Sequence, residues 1–151
     1  MDKDAESFRR VANLSGTRVG DGGRYAIGDV VATGCLSTVY RARDIVLGRD
    51  LAVKVLSPSR GERFRPVPFQ ALLRDAAALH HPSIVPLLDV IPFETEDGSA
   101  VCLIEPYFPE GSLARLSKTQ ITGISLDQRL RNLEQLASAL DYAHECGIVH
   151  A

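Results

Sequence analysis

The sequence lacks most marks of an exported, membrane-spanning or nucleic-acid-binding protein. Its three cysteines, Cys35, Cys102 and Cys146, are odd in number and far apart, with no CxxC pair. That speaks against a disulfide framework or a zinc ligand set and suits reduced, partly buried thiols. No apolar run approaches the ~18 residues of a membrane span. Acidic and basic side chains nearly cancel, 19 against 17, for a formal charge of −2. A nucleic-acid partner usually requires a basic surplus, so none is expected. The opening MDKDAESFRR is charged where a secretory signal is apolar, so the expected location is cytoplasmic, with no membrane association. There is no internal repeat and no low-complexity tract.

What is present suits one ordinary domain: 151 residues, 45% apolar and 24% charged. Residues 1–23 are polar, end in Gly20-Asp21-Gly22-Gly23 and read as a flexible leader with a short helix around residues 5–12, with order expected from Arg24. Strands are expected over residues 25–34, 36–42 and 51–56. In the second, Leu36, Thr38, Tyr40 and Ala42 alternate onto one face. Residues 69–80 carry an apolar stripe at helical spacing and end before Pro82. Two more strands, 84–93 and 100–105, flank Asp97-Gly98, a hairpin signal. A short helix over 112–118 follows. A long helix then begins at Ser125, which forms a capping box with Gln128, and stops at Gly147. The fold class is α+β, one antiparallel sheet with segregated helices.

Two features carry chemistry. Ala32, Gly34 and Ser37 repeat the small-residue spacing of a GxGxxG hairpin, where backbone N–H groups can approach phosphate oxygens unobstructed. A tight β-turn around Gly34 accounts for the same residues. Fifteen positions after Val39 stands Lys54, the lone charge in an apolar strand. Such a lysine either turns out to solvent at a strand edge or finds an anion, and a phosphate beneath the hairpin would serve.

Together these features resemble the N-terminal part of a protein kinase domain of the bacterial serine/threonine type. The segments ATGCLSTVYRARD, LAVKVL, HHPSIVPLLDV, CLIEPYFPEGSL and LASALDYAHECGIVH carry the likeness, in family order, over residues 25–150. The resemblance implies a kinase N-lobe, with a five-stranded antiparallel sheet and one helix, over residues 24–105. A hinge, a short helix and one long helix of an incomplete C-lobe would occupy 106–151. It implies ATP as the ligand. Gly34 would lie in the glycine-rich loop, Val39 and Ala52 over the adenine, and Lys54 on the α and β phosphates. Ile104 would stand at the back of the adenine pocket, and Glu105 and Tyr107 on the hinge as backbone partners of adenine.

The chain also departs from the pattern. The helix glutamate that pairs with the strand lysine in the family falls at Leu72, with Asp75 one turn later as a substitute or as a solvated carboxylate. The sequence ends at His150-Ala151, so the family's catalytic aspartate and its Mg2+-binding asparagine and aspartate are not among these residues. In the family, the histidine matched by His150 supports the catalytic loop and takes no proton. His80, His81 and His144 read as helix-end residues, with no metal spacing and no catalytic residue among them. The expectation is a truncated, ATP-binding kinase portion unable to transfer phosphate by itself. The alternatives are a pseudokinase-like module that regulates a partner, and a decayed gene fragment. Leu126, Leu130, Leu133, Leu136 and Leu140 would leave an apolar patch on the helix over 125–146, for a protein partner to cover.

Overall fold

The computed structural model describes residues 14–34, 37–56, 69–95, 98–113 and 118–149. The chain divides into two compact units, Met1–Phe69 with Leu87–Tyr107 and Gln70–Pro86 with Phe108–Ala151.

The first unit is an antiparallel sheet of six strands, one more than expected: β1 (Arg18–Val19), β2 (Tyr25–Thr33), β3 (Ser37–Asp44), β4 (Arg49–Leu56), β5 (Asp89–Thr95) and β6 (Gly98–Pro106). Their order across the sheet is β1-β2-β3-β4-β6-β5. In β3 and β4 alternate side chains are buried, as expected for strands with one face on a core. That core gathers Tyr25, Ile27, Tyr40, Ala42, Leu51, Val53, Val55, Cys102 and Ile104.

Over residues 14–23 the structure differs from the expected leader, with order beginning before Arg24. Leu14 and Val19 are buried in the sheet core. Arg18 pairs with Ala26, and Val19 with Tyr25. Gly20, with φ +81°, turns the chain where an added Cβ would lie 2.9 Å from the Tyr25 ring. The glycine run is thus a tight packed turn rather than a linker. The expected helix near residues 5–12 lies outside the described residues.

The β3–β4 connection is closed by charge. The Asp44 side chain is fully buried and accepts from Arg24 Nε at 3.1 Å and Nη2 at 2.7 Å. It also accepts from the backbone N–H groups of Val46 and Leu47. The Arg24 hydrogen bond comes first among the causes that hold its carboxyl down at about 2, against the opposing effect of burial.

β5 starts at Asp89, not at residue 84. Pro86 has no N–H to give a ladder, and the irregular stretch rejoins the sheet through Leu88 N–H to the Ile104 carbonyl at 2.8 Å. Pro92 is tolerated because β5 is an edge strand. Gly98, expected in the turn, sits in β6 opposite Thr95.

The second unit holds helices α1 (Phe69–Ala77), α2 (Lys118–Gly123) and α3 (Leu126–Glu145). α2 begins at Lys118, the last residue of the expected span 112–118. In α3 only half of the capping box forms. Ser125 Oγ accepts from Gln128 N–H at 3.2 Å, but the Gln128 side chain is taken by Asn132 and Arg131. At the other end Gly147 adopts φ +77°. Gly147 N–H bonds the His144 carbonyl and Ile148 N–H the Ala143 carbonyl, a Schellman ending. His81 accepts from Ser83 N–H at Nδ1, so its Nε2 carries the proton towards Ser138 Oγ at 3.1 Å. His81 also stacks on Tyr142. Two of the histidines therefore have structural partners, since His80 N–H donates to the Tyr142 hydroxyl.

Candidate nucleotide face of the sheet

Strand register assigns each expected site residue to a face. Ala32 pairs with Val39, Val39 with Lys54, Lys54 with Leu103, and Leu103 with Val90, forming one row. The next row on the same face runs Arg41, Ala52, Glu105. Directly opposed residues share a face, and residues two apart along a strand do too. Ala32, Val39, Ala52 and Lys54 therefore gather on one surface. Ala32 is exposed, and Val39, Ala52, Lys54 and Glu105 are half-buried. A cation beside small and apolar side chains is a surface able to take a flat base next to an anionic group.

Ser37 pairs with Leu56 and stands two residues before Val39, so it lies on this face as well. Gly34 N–H donates to the Ser37 carbonyl at 2.8 Å and closes the hairpin. That amide is engaged within the hairpin, and Cys35 and Leu36 at the tip lie outside the described residues. Among the described residues, an added Cβ at Gly34 would meet Ser37 atoms at 3.8 Å, an ordinary contact distance.

Ile104 lies apart from this group. It pairs with Val53, both are fully buried, and both belong to the core. It therefore lies on the opposite side of the sheet from Val39, Ala52 and Lys54. One residue further on, Glu105 takes the place across from Ala52. A shift of one position in a strand exchanges the faces. Burial pushes the Glu105 carboxyl up, while the charge of Lys54 pulls it back in part.

Tyr107 follows the last residue of β6. The Arg41 guanidinium lies 5.4 Å from the centre of its ring, and Arg41 Nη2 reaches Asp50 at 2.6 Å. Arg41 is thus tied down at the sheet end. Pro106, between Glu105 and Tyr107, has no N–H to offer a ligand. Cys102 lies on the core face, and burial pushes its thiol up to about 11, which keeps it out of nucleophilic chemistry. Leu72 lies in α1, and Asp75, in the same helix, is exposed. Among the described residues no group of three His, Cys, Asp or Glu side chains is placed to hold a metal ion. No helix among them is long and apolar enough to cross a membrane.

An antiparallel sheet followed by helices, with a lysine and a small-residue hairpin on one face, defines a class of architecture that comparison with known proteins narrows. The model of the protein kinase domain family matches residues 25–151. The chain belongs to the protein kinase family, with relatives of the bacterial serine/threonine type. It is 35% identical over 133 residues to serine/threonine-protein kinase PknB of Mycobacterium leprae (strain TN), covering 84% of this chain and 20% of that protein. The chain thus spans about a fifth of the length of the curated relatives it matches. Among solved structures, Rad53 1-466 in complex with AMP-PNP superposes with a TM-score of 0.70 at 23% identity, covering 88% of this chain and 33% of that one. The apo form of PpkA-294 gives 0.68 at 26% identity, covering 90% and 53%.

Proposed function

We propose that these residues form the ATP-binding portion of a protein serine/threonine kinase. The nucleotide would lie on the sheet face that carries Val39, Ala52 and Lys54. The observation that carries this reading is the row Ala32–Val39–Lys54, which puts the hairpin base and the Lys54 ammonium on one surface. Val39 and Ala52 supply apolar cover for adenine, Lys54 the charge for the α and β phosphates, and the stretch at Glu105 and Tyr107 the hinge. Membership of the kinase family and the likeness in fold to a structure solved in complex with AMP-PNP support the choice of ligand. Residues 24–105 would form the nucleotide-covering lobe and 106–151 the hinge and the start of the second lobe.

The reaction of the family is phosphoryl transfer from ATP to protein Ser or Thr hydroxyls. In it, a catalytic aspartate accepts the substrate proton, and an asparagine and a second aspartate hold Mg2+. None of these three is among the 151 residues. Positioning and charge stabilisation by those groups supply most of the acceleration, so the chain by itself should bind ATP without transferring phosphate. Calorimetric titration with ATP and Mg2+, run beside a phosphorylation assay on generic protein substrates, tests both halves. Saturable binding that is lost in Lys54→Ala, with no incorporation, is the expected result. Incorporation that vanishes in Lys54→Ala would overturn the second half, and absence of binding would overturn the first. A pseudokinase-like role towards a partner remains the second reading, favoured by the exposed leucines of α3.

A further inference from the structure

At the sequence position where the family supplies the acidic partner of the strand lysine, this chain carries a leucine, Leu72. The sheet offers another carboxylate. Lys54 stands opposite Leu103 in the β4–β6 ladder, and Glu105 stands two residues further along β6, opposite Ala52. Glu105 is thus the diagonal neighbour of Lys54 on the same face. Diagonal positions in an antiparallel pair lie about 7–8 Å apart at the backbone, within reach of two long side chains. Leu103 and Ala52 carry no charge to intervene. Arg41, the other cation of that row, is bound to Asp50 at 2.6 Å.

We propose that Glu105 is the acidic group that positions the Lys54 ammonium on the nucleotide face, the role the family gives to a helix glutamate. Two further observations agree with this. Glu105 is half-buried, and an ionised carboxylate there needs a nearby cation. Among the described residues, the charge of Lys54 favours the ionised form of Glu105 against the effect of burial. The contact is not closed in this structure: among the described residues no carboxylate oxygen lies within 4.0 Å of Lys54. Glu105 therefore acts as a charge that holds the ammonium near, leaving its donors for a phosphate. This role for Glu105 rests on the nucleotide reading of the face, but the pairing itself does not.

The test follows the carboxyl carbon of Glu105 by NMR in the 151-residue chain labelled with 13C-glutamate, with Glu105→Gln used for assignment. In Lys54→Met the Glu105 midpoint should rise by about 0.5 pH unit or more, while Lys54→Arg restores the original value. A midpoint unmoved in Lys54→Met overturns the pairing. Should Lys54→Met fail to fold, Glu105→Gln reads the same coupling from the other side. Loss of the carboxylate should raise the acylation rate of Lys54 by an amine-directed reagent several-fold, and an unchanged rate overturns the proposal. Adding AMP-PNP to the unsubstituted chain should move the Glu105 signal as phosphate takes up the ammonium. A normal Lys54→Met result with no response to AMP-PNP would sink the nucleotide reading and leave the pair standing.

Discussion

The sheet unit and the helical unit use apolar residues with opposite outcomes. In β3 and β4, Tyr40 is 2% exposed and Val53 and Val55 are fully buried. In α3, Leu126 is 69% exposed, Leu133 61% and Leu136 56%, and only Ala139 and Ala143 are buried. The two patterns are equally regular in sequence. A period of two gives the sheet a face that its own strands and the Leu14–Val19 segment cover. A leucine stripe on a helix needs a second layer, and none of the described residues supplies one. Regular patterning thus announces an element and its apolar face, but not whether that face has a partner.

Substitutions can break or sharpen this contrast. The largest effect is expected in the sheet core. Ile104→Ala should cost about 2–5 kcal/mol in denaturant unfolding, because the side chain is fully enclosed. A mild loss joined to a change in nucleotide affinity would return Ile104 to the binding face. Next comes acid. The folded-state pKa of Asp44 lies below its ordinary value of 3.8, at about 2. Its contribution to stability is therefore complete above 3.8 and lost as pH falls towards 2. Thermal melting across that window should show the loss, and Asp44→Asn should flatten it from a lower starting point. The smallest effect belongs to the helix. Leu133→Lys should change stability by no more than about 0.5 kcal/mol while reducing self-association seen by light scattering. A loss comparable to that of Ile104→Ala would mean that the leucine face is covered after all.

Much of this was legible beforehand, and the failures have physical causes. Thr38, Tyr40 and Ala42 alternate, so β3 could be read directly. Lys54 stood out as a charge inside LAVKVL. The N-cap at Ser125 was legible, but the side chain of Gln128 found Asn132 and Arg131 as better-placed partners. Residues 14–23 were misread because glycines and charges look alike in a linker and in a packed turn. The ring of Tyr25 against Gly20 and the burial of Leu14 and Val19 distinguish the two. The face of Ile104 was hidden because SAVCLIEP is apolar almost throughout, and a run without alternation carries no phase. Pairing with Val53 supplies the phase and sets Glu105 opposite Ala52.

The central claim is that the hairpin base and Lys54 serve one ligand on one face of the sheet. Methyl NMR of the 151-residue chain during titration with AMP-PNP and Mg2+ tests it most directly. The methyl signals of Ala32, Val39, Ala52 and Leu103 should shift with a single saturation curve, while those of Val53, Val55 and Ile104 stay in place. Shifts confined to the second set, or none in either, would contradict the claim.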